Sequence, residues 1–139
     1  MNHRTSILCL VLLLAALPTH AAPPAWVIVD HSTETLIDQA GAKALWNKAL
    51  SARLARLYPP KKWGFASEVE GGFNAAKTCV VTARAMLMPL RGKLLTFKPE
   101  KTATTFDAVP NATQEQCKQL ARAKLEEAIG AVVGGLMAN

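Results

Sequence analysis

The sequence predicts an α+β fold, an antiparallel meander of three to five strands flanked by an N-terminal and a C-terminal helix and held by one disulfide. Three observations carry that expectation. From Thr113 to Val133 the apolar residues Cys117, Leu120, Ala121, Leu125, Ala128, Ile129 and Val132 recur at three- and four-residue steps, which is one stripe of a helix. Around Cys79 the odd positions Cys79, Val81, Ala83, Ala85 and Leu87 are all apolar and so line one face of a strand. Each of these faces carries a cysteine, and both cysteines point toward the same core.

The chain opens with a basic start (His3, Arg4), an apolar run from Ile7 to Leu17, Pro18, and small residues ending at Ala21. This pattern predicts a cleaved secretory signal over residues 1–21, followed by a single small α+β domain over 22–139. The run is too short to cross the hydrocarbon core, which needs about 20 apolar residues. Cys9 stands at the front of the run, with no hydrophobic segment before it, and does not suit a lipid-modified cysteine. Removing the segment takes Cys9, His3 and His20 with it. Cys79, Cys117 and His31 are then the cysteines and histidine of the mature chain. Two cysteines in an exported chain predict a Cys79–Cys117 disulfide, and a metal or other cofactor is not expected because soft ligands are too few.

After the proline-extended leader Ala22 to Ala25, Trp26 to Val29 reads as a short strand, and Asp30 to Thr33 as turn and cap chemistry. A first helix is expected from Thr35 to Leu57, with a possible interruption at Gly41. Its stripe is Ala42, Leu45, Trp46, Ala49, Leu50, Leu54 and Leu57. Arg53 falls inside that stripe and is expected to lay its stem on apolar surface with its head in water. Tyr58-Pro59-Pro60 ends the helix. Trp63 to Glu70 alternates as a strand with a wet side, and Gly71-Gly72 reads as a loop or bulge before the Cys79 strand. A further hairpin is expected from Lys93 to Lys98 and Thr102 to Phe106, turning at Pro99-Glu100. Thr113 and Gln116 form a capping box for the closing helix. The glycines near its end, Gly130, Gly134 and Gly135, are expected to let its last turns fray.

The formal net charge is +6, and only Arg4 among the charged residues leaves with the signal segment. A basic balance favours acidic partners. Export and a disulfide argue against nucleic acid. Catalysis is not expected. His31 lies between Asp30 and Ser32, but neighbours on an extended segment point to opposite sides and cannot form a triad among themselves. Glu68 and Glu70 share a strand face at roughly 6 to 7 Å, a separation open to two-carboxylate glycoside chemistry. A solvated sheet face explains them more simply, and a small hydrolase is a minor alternative.

The functional expectation rests on the even face of the Cys79 strand. Val80, Met86 and Met88, rimmed by Arg84 and Arg91, are too apolar for a wet surface. Methionines adapt to partners. These five residues are therefore the candidate partner-binding patch of a small exported protein, periplasmic or secreted, that contacts another envelope protein as inhibitor, immunity protein or assembly accessory. The competing expectation is that the Trp26 segment or the first helix covers this face as a second small core. The alternative site is an anion-binding surface built from Lys43, Lys48, Arg56, Lys61 and Lys62. The apolar face of the last helix runs on to Met137, which leaves a weak membrane-surface contact by the tail in view but no stable span.

Overall fold

The structure, a computed structural model, describes residues 25–138. The expected signal segment, with Cys9, lies outside the described residues. Along the chain the elements are β1 (Ile28–Asp30), α1 (Gln39–Ala49), α2 (Ala52–Leu57), β2 (Trp63–Phe73), β3 (Thr78–Arg91), β4 (Leu94–Leu95), β5 (Lys101–Pro110) and α3 (Gln114–Met137). The fold is α+β, as the apolar periodicities require, with helices packed on one face of the sheet.

The sheet is mixed rather than purely antiparallel, because β1 pairs in parallel with β2, Ile28 opposite Phe65 and Asp30 opposite Ser67. Parallel neighbours need a long crossover, and α1 and α2 supply it. The pairings of β3 with β2, β4 and β5 are all antiparallel. The ladder continues past β1, His31 and Thr33 donating backbone N–H groups to Ser67 and Val69. Asp30 lies beneath, accepting hydrogen bonds from the Ser67 and Ser32 hydroxyls at 2.7 Å. That pairing satisfies the buried hydroxyl of Ser67.

The first helical segment begins later than its periodicity suggests and breaks elsewhere. Asp38 caps α1 by accepting from Gly41 N–H, so Gly41 sits inside the first turn instead of interrupting it. The break falls at Leu50-Ser51. Leu50 is extended while its N–H still reaches the Trp46 carbonyl, and the Ser51 hydroxyl accepts from Leu54 N–H to start α2. The new cap turns the chain enough to expose Leu57 and Arg53, while Leu54 stays buried.

The strand over 93–98 is also shorter than expected. Gly92, in the left-handed region, turns the chain so that only Leu94 and Leu95 pair, with Arg91 and Leu90. The chain then runs on to β5, which pairs directly with β3 from Lys101 opposite Leu87 to Pro110 opposite Thr78. At the other end, β2 and β3 continue through Gly71 and Gly72, whose φ values are +136° and +143°. A side chain on Gly71 would collide with the Val80 backbone carbonyl across the ladder.

The core lies between the inner sheet face and the helices. Phe65, Val69, Val81, Ala83, Ala85 and Leu87 meet Leu125, Ile129 and Val132 of α3 and Trp46 of α1. Trp46 packs on Phe65 at 4.7 Å, and Trp26 meets the same ring edge-on at 5.8 Å. α3 starts from the expected capping box, the Thr113 hydroxyl accepting from Gln116 N–H and the Gln116 side chain accepting from Thr113 N–H. It does not fray at its glycines but continues to Met137. Leu136 is buried there, and Lys101 Nζ donates to the Gly135 carbonyl.

Cys79 and Cys117 form a disulfide with their Cα atoms 5.7 Å apart, closing a sequence separation of 38 and joining β3 to the first turn of α3. Replacing both cysteines by alanine should lower unfolding stability by about 4 kcal/mol on the chain-entropy estimate, read as a shifted guanidinium midpoint under oxidising conditions. Gly71→Ala should cost about 1–3 kcal/mol in the same assay, whereas an unchanged midpoint would mean the β2–β3 ladder relaxes freely at that position.

Candidate partner-binding face

α1 and α3 pack on each other, and α3 spans β3 and β5 on the inner side. The outer side follows from register. In rows across β2, β3 and β5 it presents Gly72, Val80 and Ala108, then Glu70, Thr82 and Phe106, then Glu68, Arg84 and Thr104, then Ala66, Met86 and Thr102. Val80, Thr82, Arg84, Thr104 and Phe106 are all exposed. No described helix covers these rows.

The five residues expected to form a binding patch divide between two environments. Met88 is buried at 8% exposure and Met86 is half-buried. They lie at the end of the face where Val27 and Leu95 close over Gly64, the cross-strand partner of Met88. The cover therefore comes from the β4 turn and from Val27, so the Trp26 segment covers this end as the competing expectation has it, while the first helix does not. Trp26 itself joins the inner core, with its indole N–H donating to the Tyr58 carbonyl at 3.0 Å. Val80 remains open at 39% exposure. Arg84 lies between these ends, paired to Glu68 at 3.3 Å. Arg91 is exposed beyond the last pairing with β2.

The largest apolar exposures on the open end involve residues outside that set. Phe106 is 79% exposed beside Thr82. Val80 lines a shallow hollow with Glu70, Gly72 and Thr82, whereas Phe73, 43% exposed at the end of β2, pairs with Cys79 and falls outside the outer rows. Phe106 is missing from the set expected from sequence. The alternation of Thr102, Thr104 and Phe106 against Lys101, Ala103 and Thr105 is the signal for its outward side, and the β3–β5 register sets it opposite Thr82, one row from Val80. β5 is also an edge strand, since no described strand pairs with its other side.

The five cations of the alternative site do not converge. Lys43 and Lys48 belong to α1, Arg56 to α2, and Lys61 and Lys62 to the turn before β2. Lys48 is already bound to Glu126 of α3 at 2.6 Å, and that hydrogen bond, followed by the charge attraction, holds the Glu126 carboxyl below its usual value. On the same helix, Lys124 is raised above its usual value, chiefly by its hydrogen bond to Glu127, with Asp107 also attracting it. Glu68 is taken up by Arg84, and Glu70 lies two residues further along the same outer face, in solvent. His31 continues the β1–β2 ladder through its backbone while Asp30 turns to Ser32 and Ser67. Among the described residues no cluster of three or more His, Cys, Asp or Glu side chains could hold a metal ion.

No family model and no curated protein matches the chain. Among solved structures, two of the PelC dodecamer from Paraburkholderia phytofirmans are similar at 13% identity. Each covers 81% of this chain, and 90% and 95% of its own, with TM-scores of 0.46 and 0.45. A candidate lipoprotein from Caulobacter crescentus CB15 is similar at 8% identity over 79% of this chain and 92% of its own, with a TM-score of 0.34.

The Lys48–Glu126 pair makes a checkable statement about pH. A carboxyl held below its usual value stabilises the fold above the usual carboxylate range, and the contribution is lost as pH falls through the lowered value. Lys48→Met should return the Glu126 titration to the ordinary carboxylate range by NMR. An unmoved titration would leave Lys48 free for an anionic ligand.

Proposed function

We propose that the chain is a small, non-catalytic protein of the periplasmic or secreted compartment that binds a protein partner through the open end of its outer sheet face. The observation that carries this reading is the apolar pair Val80 and Phe106, exposed one row apart on a face that no described helix covers. Aromatic side chains of this kind anchor protein interfaces, with polar residues at the rim. Thr82, Thr104, Arg84 and Glu70 provide such a rim here. The β5 edge beside the patch adds unpaired backbone groups, which an extended segment of a partner can use by strand addition. The disulfide supports an oxidising compartment, in keeping with the secretory pattern of residues 1–21. Inhibitor, immunity and assembly-accessory roles share this chemistry.

The test is a double variant, Val80→Asp with Phe106→Asp. Both side chains are exposed, so its denaturation midpoint should stay within about 1 kcal/mol of the wild type in stability. Its affinity for a protein captured from envelope extract by the wild type should fall at least about tenfold. Equal retention of that protein by wild type and variant overturns the reading. Bound material that leaves both in high salt transfers the function to the basic surface.

A further inference from the structure

At the opposite end of β3 the chain carries a second exposed apolar group with a different electrostatic setting. Phe97 is fully exposed, at 102%, and Leu94 is 76% exposed. Both belong to the turn that follows β3, held at its base by hydrogen bonds from Thr96 N–H to the Pro89 carbonyl and from Glu100 N–H to the Leu87 carbonyl. Arg91, Lys93 and Lys98 flank them in sequence, all exposed. The Lys61-Lys62 turn lies alongside, because Leu90 N–H donates to the Lys62 carbonyl at 2.8 Å. Against these five cations the turn carries one acid, Glu100.

We propose that the Arg91–Lys98 turn is a membrane-contact element. It seats Phe97 and Leu94 in the interface of an anionic lipid bilayer while Arg91, Lys93, Lys98, Lys61 and Lys62 meet the phosphates. The charge complementarity selects this occupant. Two protruding apolar side chains surrounded by cations match a surface that is apolar at shallow depth and negative above it. Leu95, between them in sequence, turns back toward Gly64 and anchors the base of the turn. Two side chains at shallow depth make the proposed contact peripheral and reversible. It lies apart from the Val80 and Phe106 patch and does not depend on it.

The experiment is flotation of the oxidised chain with vesicles of phosphatidylglycerol mixed with phosphatidylethanolamine, set against vesicles of phosphatidylcholine alone. The chain should float with the anionic vesicles and not with the neutral ones, and binding should weaken as salt is raised. A Leu94→Ser, Phe97→Ser variant, whose changes fall on exposed side chains, should keep the wild-type unfolding midpoint and lose about tenfold or more in partitioning. A Phe97→Trp variant should gain a blue-shifted emission on the anionic vesicles that brominated lipid quenches. The Val80→Asp, Phe106→Asp variant should float as the wild type does, which separates this proposal from the partner-binding face. No flotation with anionic vesicles overturns the proposal. So does flotation that the Leu94 and Phe97 changes leave intact, since that would be adsorption through net charge alone.

Discussion

The contact of α3 with β3 governs the rest of the molecule, and the Cys79–Cys117 bond ties it at one end. β3 pairs with three other strands, so whichever of its faces α3 covers becomes the inner face for β2 and β5 as well. The cysteines stand on that face of both elements, at the start of β3 and in the first turn of α3. From there α3 runs beside β5, its Lys124 carbonyl accepting from the Thr105 hydroxyl and its Gly135 carbonyl from Lys101. A helix of this length extends for roughly 36 Å at the usual rise, enough to follow the long strand beneath it. The helical layer is thus concentrated on one side, and the opposite side of the sheet is left to smaller devices or to partners.

The elements read most completely from sequence are those whose own periodicity carries the information. Cys117, Ala121, Leu125, Ala128, Ile129 and Val132 repeat as a helix and are buried as one, and Thr113 with Gln116 marks the helix start without tertiary help. The alternation from Cys79 to Leu87 likewise describes a strand with one buried face. The misreadings occur where several states share one local pattern. Ala42 to Leu57 keeps helical spacing across Leu50-Ser51, and a cap inside an apolar stripe is visible only when Ser51 is seen to accept from Leu54. The β1 residues suit a strand of either orientation. Their parallel pairing follows from the α1–α2 crossover, a property of the whole chain. Leu94 to Phe97 has strand composition, yet Gly92 turns it and Leu95 is drawn onto the sheet surface near Gly64.

The outer face divides for a related reason. Its even positions on β3 form one row in sequence, but the neighbours that decide exposure come from elsewhere. Val27 and Leu95 close over Gly64, which carries no side chain of its own, and the Met88 end is thereby buried. At the Val80 end the neighbours are Gly72 and Ala108, with Phe106 one row on, and none of them forms a lid. Glycine and alanine beside a valine leave a depression, and Phe106 stands exposed one row away. Composition identified an apolar strand face. Strand register determined which half of it meets solvent.

The two exposed apolar groups differ in their surroundings, and that difference assigns them different surfaces. Around Phe106 and Val80 the charges are of both signs, and Arg84 is neutralised by Glu68, so a partner there gains by burying rings and need not be acidic. Around Phe97 and Leu94 the charges are nearly all positive, and none of the ion pairs described involves them. Such a group is costly to bury against a neutral apolar protein surface, because its cations would lose water without gaining partners. At a phosphate-rich interface the same cations keep both water and counter-charge. The strand rise separates the Thr82–Phe106 pair from Arg91 by roughly 30 Å along β3. A chain seated on a bilayer through its Phe97 turn would therefore hold the proposed partner-binding face clear of the headgroups, where a second protein can reach it.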